Sequence, residues 1–185
     1  MNRSFFLLLL LLTGISAGAA EMRSIAVDRV EGVYVMESEV HFAADIKDVY
    51  AVFADYDLST QFSGAITEAR NIDPDEDSPP GFYIRNHGCV LFFCKSFERY
   101  GYVEREPFKV IRASIDPERS DFHLSNESWQ FRRDGAGTVV TYNLEFRPKF
   151  WVPPVIGPYV IKRKLRNDGG NAVDRIEALA QARQP

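Results

Sequence analysis

Val33-Tyr34-Val35-Met36-Glu37-Ser38-Glu39-Val40-His41-Phe42-Ala43-Ala44-Asp45-Ile46-Lys47-Asp48-Val49-Tyr50-Ala51-Val52-Phe53 carries two periodicities in succession. Tyr34, Met36, Ser38, Val40 and Phe42 share one face and Glu37, Glu39 and His41 the other, the period of two that marks a half-buried strand, with His41 toward solvent. Asp45 with Asp48 three residues on then forms a cap-like opening, and Ile46, Val49, Tyr50 and Phe53 recur at helical spacing. A strand therefore runs straight into a short helix. A second short helix over 58–62 follows the break at Asp55-Tyr56-Asp57.

Downstream, polar turns punctuate β-rich runs at 66–72, 81–103, 108–115, 122–132 and 138–146. The turns are the acidic, proline-containing loop of 73–80, Glu104-Arg105-Glu106-Pro107, Asp116-Pro117-Glu118-Arg119-Ser120 and Asp134-Gly135-Ala136-Gly137. After Pro153-Pro154 and Pro158, the residues Ile161, Leu165, Ala172, Val173, Ile176 and Leu179 form an apolar stripe. One long helix is expected from near Pro154 to about Ala182. Gly169-Gly170 in its middle costs ~1 kcal/mol per glycine relative to alanine, so a kink or close packing is expected there. The fold class is α+β: a curved antiparallel sheet of about seven strands, two short helices after the first, and a long C-terminal helix packed over the sheet.

The N-terminus has the basic, apolar and small-residue zones of a secretory signal peptide: Met1 to Ser4, Phe5 to Leu12, and Thr13 to Ala20. Cleavage is expected after Ala19 or Ala20, with no cysteine there to take a lipid anchor. The apolar run is well short of the ~20 residues that span a bilayer. Residues 21–185 then form a single domain, long enough to bury on the order of 70% of its unfolded surface without a metal or disulfide scaffold. Formal charge moves from −4 to −5 when Arg3 is removed, which does not favour nucleic acid as a partner. The expected location is the periplasm or a secreted space, and oligomeric state is left open.

This order of elements resembles the START-like helix-grip superfamily, which includes polyketide cyclase/dehydrase, lipid-transfer and coenzyme-Q-binding-like proteins. The resemblance rests on Phe42-Ala43-Ala44-Asp45-Ile46-Lys47-Asp48-Val49-Tyr50-Ala51-Val52-Phe53-Ala54-Asp55-Tyr56. It rests equally on Gly137-Thr138-Val139-Val140-Thr141-Tyr142, leading through Trp151-Val152-Pro153-Pro154 into the last helix. It implies a hydrophobic small molecule, such as a lipid or quinone, held between sheet and helix. The expected role is an exported carrier rather than an enzyme, with no cofactor. The alternatives are a polyketide cyclase-like enzyme and an envelope interaction module whose interior is filled by its own side chains.

The 23 residues of 81–103 hold no polar turn yet exceed any usual strand, so they must fold back near Val90-Leu91-Phe92-Phe93. That places Cys89 opposite Cys94 across a four-residue loop. In one continuous strand the two would lie ~17 Å apart, beyond disulfide reach, so a bridge requires the turn, and export would favour it. A metal site is not expected, because the two cysteines lack histidine partners at suitable spacing. The apolar tip, Leu91, Phe92 and Phe93, is either an entrance or membrane contact or ordinary core under the last helix.

Strand parity selects Tyr34, Met36, Phe53, Phe62, Trp129, Phe131, Tyr142 and Leu144 as candidate pocket lining. His123 and Glu127 share a parity and form a weak candidate for proton transfer; no other catalytic arrangement stands out. Lys162, Arg163, Lys164 and Arg166 make a basic cluster that is either a solvated face or an attraction to anionic lipid. Asn126-Glu127-Ser128 matches a glycosylation sequon.

Overall fold

The computed structural model describes residues 19–75, 78–90, 93–153 and 156–184, apart from the side chains of 90 and 93. The leader, through residue 18, and the hairpin-tip residues Leu91 and Phe92, with the Phe93 side chain, lie outside the described residues. Eight strands form one antiparallel sheet in the order β1-β2-β8-β7-β6-β5-β4-β3. They are β1 Glu21–Val30, β2 Val33–Phe42, β3 Ile66–Ile72, β4 Gly81–Val90, β5 Phe93–Glu106, β6 Val110–Ile115, β7 Phe122–Asp134 and β8 Gly137–Pro148. The helices are α1 Ile46–Ala54, α2 Ser59–Phe62 and α3 Gly157–Gln181, with a 3-10 turn, Tyr56–Leu58, leading into α2.

β1 adds a strand to the expected seven. Its sequence shows no clean alternation because it is an edge strand of which only Val27 is buried. It pairs with β2 through a two-residue turn in which Glu31 and Gly32 both adopt positive φ, 50° and 88°, the geometry that matches the twist of a tight hairpin. The turn expected at 104–107 sits slightly later. β5 runs on to Glu106, and Phe108 takes φ 60° within the turn.

β2 reads as anticipated, with Tyr34, Met36, Ser38, Val40 and Phe42 all buried. Asp45 caps α1 by accepting from the Lys47 backbone N–H at 3.0 Å. Asp55 accepts from the Asp57 N–H and from Asn71 Nδ2, which fastens the α1–α2 junction to β3.

α3 touches β1 and β2 at one end of the strand order and β4 near the other, as well as α1 and α2. A helix can reach both ends only if the sheet curls around it. Gly169 sets the approach on the β1–β2 side, where a Cβ would come within 3.2 Å of Ile25 and 3.5 Å of Met36. Of the expectations for the glycine pair, close packing is met at Gly169, and α3 runs through both glycines as one continuous helix. Its C-terminal half is pinned by Glu177, buried, whose carboxylate accepts from the Ala43 backbone N–H at 2.9 Å.

Candidate ligand-binding cavity

Between α3 and the middle strands the sheet curves away faster than α1 and α2 fill the space. A cavity of about 630 Å³ remains, within the ~300–1,000 Å³ of typical small-molecule sites. Its walls are mostly apolar. Met36, Phe53, Phe62, Trp129, Tyr142 and Leu144 line it as parity suggested.

Two of the eight expected lining residues do not. Phe131 points into the packed region, its ring 5.2 Å from Tyr50 and 5.7 Å from Phe53. Parity placed it on the inner face correctly but did not show that α1 covers that stretch. Tyr34 is buried against Phe146, ring centroids 5.1 Å apart, and lines a separate, smaller depression that holds His123. It lies beyond the end of the main cavity on the same strand face.

His123 and Glu127 are not brought together. β7 shifts register between Phe122 and Leu124 against β8, which turns Phe122 inward and leaves His123 exposed, while Glu127 faces the main cavity. The bulge reverses the parity on which the pairing rested. Glu127 has a different partner, Arg99 of β5, with which it forms a largely buried ion pair.

Both side chains line the cavity and the pair spans β6: Glu127 stands directly opposite Ala113 of that strand, which is opposite Val103 of β5, and Arg99 lies just beyond Gly101, the partner of the last residue of β6. Burial, the largest single influence, works to lower the guanidinium pKa, but the Glu127 charge and hydrogen bond together with the neighbouring Tyr142 and Tyr56 outweigh it, so the Arg99 pKa is raised. Tyr142 hydrogen bonds to Glu127 and stacks on Trp129 at 5.2 Å. Tyr56 stacks on Phe82 at 4.8 Å, and its hydroxyl is buried without a hydrogen-bond partner. Both phenols are raised far above their ordinary pKa, first by burial and then by the Glu127 charge.

Asn86 donates to the Ala65 carbonyl at 3.5 Å, but its Oδ1 and the Arg99 Nε are buried with no partner. Orphaned polar atoms of this kind are rare in a finished core and cost on the order of 1–3 kcal/mol each. Arg99, Tyr56 and Asn86 all line the cavity. Arg99 was missed in the sequence because it lies in the turnless stretch of 81–103, where it reads as a surface charge on an uncertain strand.

The Cys89–Cys94 disulfide is formed, and the two residues are directly opposed in the β4–β5 ladder. The ladder continues to Val90↔Phe93, so the connection is two residues rather than four. The expectation that the cysteines lack a histidine is corrected: His87 Nε2 lies 3.8 Å from Cys89 Sγ. The i, i+2 spacing places both on one strand face. Asn126 sits within β7 with its Nδ2 donating to Glu145 at 2.7 Å, so the sequon lies in a paired strand and not in a loop.

The cavity mouth lies between the disulfide end of the β4–β5 hairpin and the start of α3. Phe97, Phe122, Phe146 and Phe150 cluster there with centroids 5.4–5.8 Å apart. Trp151 and Tyr159 stand exposed beside it. In the basic cluster Lys162 pairs with Asp28 and Lys164 with Asp168, while Arg163 and Arg166 are exposed. Among the described residues no helix is long and apolar enough to cross a membrane.

The chain is similar in fold to a START superfamily protein from Mycobacterium smegmatis, with 14% identity, 81% of this chain and 99% of that one covered, and a TM-score of 0.62. It is similar to the Zhui aromatase/cyclase of a Streptomyces species, with 13% identity, 82% and 95% covered, and a TM-score of 0.62. A STAR-related lipid transfer protein from Xanthomonas axonopodis matches at 14% identity, 82% and 98% covered, and a TM-score of 0.58. Curated protein sequences give no significant match. The family described as polyketide cyclase / dehydrase and lipid transport matches residues 35–181, nearly the whole described fold. With its helix-grip architecture and its cavity between sheet and last helix, the chain belongs to that family and has a START-like fold.

Proposed function

We propose that this chain is an exported carrier that holds a lipid, quinone or similar hydrophobic molecule between the sheet and α3. The observation that supports it best is the pairing of a large apolar cavity with polar atoms left without partners on its wall. Apolar burial at about 25 cal/mol per Å² supplies the affinity. Tyr56 and Arg99 each offer an unused N–H or O–H donor, which suits a carbonyl or hydroxyl oxygen at the ligand's polar end. Because Glu127 already balances Arg99, a neutral head group suits the site better than a carboxylate. The exposed Trp151 and Tyr159 at the mouth, beside Arg163 and Arg166, support exchange with an anionic membrane surface.

The test is lipid extraction and mass spectrometry of protein purified from the periplasm of an expressing cell, with its mature N-terminus sequenced. A start at residue 20 or 21 and one co-purifying apolar molecule are expected. The triple variant Arg99→Met, Glu127→Leu, Tyr142→Phe removes both charges together with the hydroxyl that Glu127 accepts from, which leaves stability near neutral or improved. It also removes charge-assisted hydrogen bonds worth about 1.5–3 kcal/mol, so ligand retention falls at least tenfold. A chain that emerges empty and takes up no hydrophobic probe would overturn the carrier reading. Turnover of an added polyketide that disappears in Glu127→Gln would replace it with the cyclase-like one.

A further inference from the structure

His87, Cys89 and Cys94 bring three ligand atoms within 4.8 Å of one another on one face of the β4–β5 hairpin. Their placement follows from the ladder. Cys89 and Cys94 are opposed, and His87 sits two residues back on the same strand, opposite Ser96. The Ser96 hydroxyl lies 3.2 Å from His87 Nδ1, while Nε2 is turned toward the Cys89 sulfur at 3.8 Å. An imidazole held through one nitrogen with the other aimed at two sulfurs is how metal-binding histidines are oriented by their second contacts. All three residues are exposed, and both cysteines border the cavity mouth.

We propose that when this disulfide is reduced the hairpin becomes a Cys2His site for Zn2+, so that the cavity mouth is clamped either by a sulfur–sulfur bond or by a metal. The chemistry balances with a small dithiol as reductant. Its two thiols are oxidised to a cyclic disulfide as the Cys89–Cys94 bond breaks, and the two electrons and two protons pass to the protein sulfurs. Zn2+ then displaces those protons to solution and binds two thiolates at about 2.3 Å and the neutral His87 Nε2 at about 2.0–2.1 Å. Such bond lengths place ligand atoms about 3.5–3.8 Å apart in a tetrahedral site. Once the bond is broken the two sulfurs part from bonding distance, while His87 Nε2, now 3.8 Å from Cys89 Sγ and within 4.8 Å of both sulfurs, draws in by side-chain rotation. The fourth position faces solvent and takes water.

The purified chain is reduced with dithiothreitol, desalted without oxygen, and titrated with Zn2+, and with Co2+ as the spectroscopic stand-in. The reduced chain is expected to bind one ion and show thiolate-to-Co2+ charge-transfer absorption, and the oxidised chain neither. His87→Ala, at an exposed position that leaves the fold intact, is expected to weaken binding more than tenfold, and Ser96→Ala about tenfold through loss of imidazole orientation. Equal binding by reduced and oxidised protein, or an affinity indifferent to His87→Ala, would overturn the site. So would loss of the native circular dichroism on reduction, since the ligands converge only while the two strands stay paired.

Discussion

The two halves of α3 lie against the same sheet and behave differently. In the C-terminal half Val173, Ile176, Glu177 and Ala180 are buried, whereas in the N-terminal half only Gly157 is, and Ile161 and Leu165 are half-exposed. Both halves carry the same apolar spacing. What differs is the third layer: α1 packs against α3, β7 and β8 under the C-terminal half, where Val49 and Val52 are fully buried. No comparable element lies under the N-terminal half among the described residues. An amphipathic stripe therefore means core where a helix covers it and cavity wall where none does.

Phenylalanine at the two ends gives the sharpest test. Phe131, buried among Tyr50 and Phe53 and away from the cavity, should cost about 3–5 kcal/mol on truncation to alanine, because its neighbours cannot close the hole. Phe150 lines the mouth and is only half-buried, so Phe150→Ala widens space that already exists and should cost about 1 kcal/mol. Urea denaturation of both variants measures the difference. Equal losses would mean that the mouth is packed as tightly as the covered end.

A second test asks whether the polar wall beside the covered end is dry. Below pH ~10 Tyr56 is protonated in both the folded and the unfolded chain and contributes no pH dependence. Above it the unfolded phenol loses its proton while the buried one keeps it. The unfolded chain then binds fewer protons, and stability falls as pH rises, by about 1.4 kcal/mol per pH unit for this one residue. Tyr56→Phe removes that share, so its urea midpoint should fall less steeply than the parent's between about pH 10 and 11.5. It should lose little at pH 7, since the hydroxyl has no partner to forfeit. Parallel curves would place water at Tyr56.

The order of elements from β2 onward and the inner face of β2 were legible because each depends on local period, which the edge strand β1 lacks: Tyr34 to Phe42 alternate whatever lies above them. The Cys89–Cys94 bridge was legible because 23 turnless residues must fold back somewhere. What stayed hidden depends on registers that no single segment encodes. The bulge that turns His123 outward exists only as a mismatch between β7 and β8, and the Arg99–Glu127 pair forms across β6, between two strands whose relative register only the assembled sheet sets. Phe131 was assigned to the right face and the wrong compartment, because the reach of α1 over the sheet is a tertiary fact. His87 was overlooked beside Cys89 because a spacing of two looks unremarkable until the hairpin brings Cys94 across.

The smallest stability effect is expected at the open end, from Trp151→Ser. Trp151 is 71% exposed, so the folded monomer gains little from it, and the change in urea stability should stay within about 0.5 kcal/mol. Membrane contact inverts that ranking. A side chain already in water loses nothing by leaving the protein surface, and burying part of an indole in the headgroup region gains on the order of 1.4 kcal/mol, a tenfold change in partitioning. Sedimentation with phosphatidylglycerol vesicles should show that loss for Trp151→Ser, and a similar one for Tyr159→Ser, with the parent's tryptophan emission shifting to the blue on binding. Phe131→Ala, at the covered end, should do the opposite, losing stability without changing the vesicle affinity of the fraction still folded. If Trp151→Ser sediments like the parent, the exposed aromatics are not the membrane contact, and the open end admits its ligand from solution.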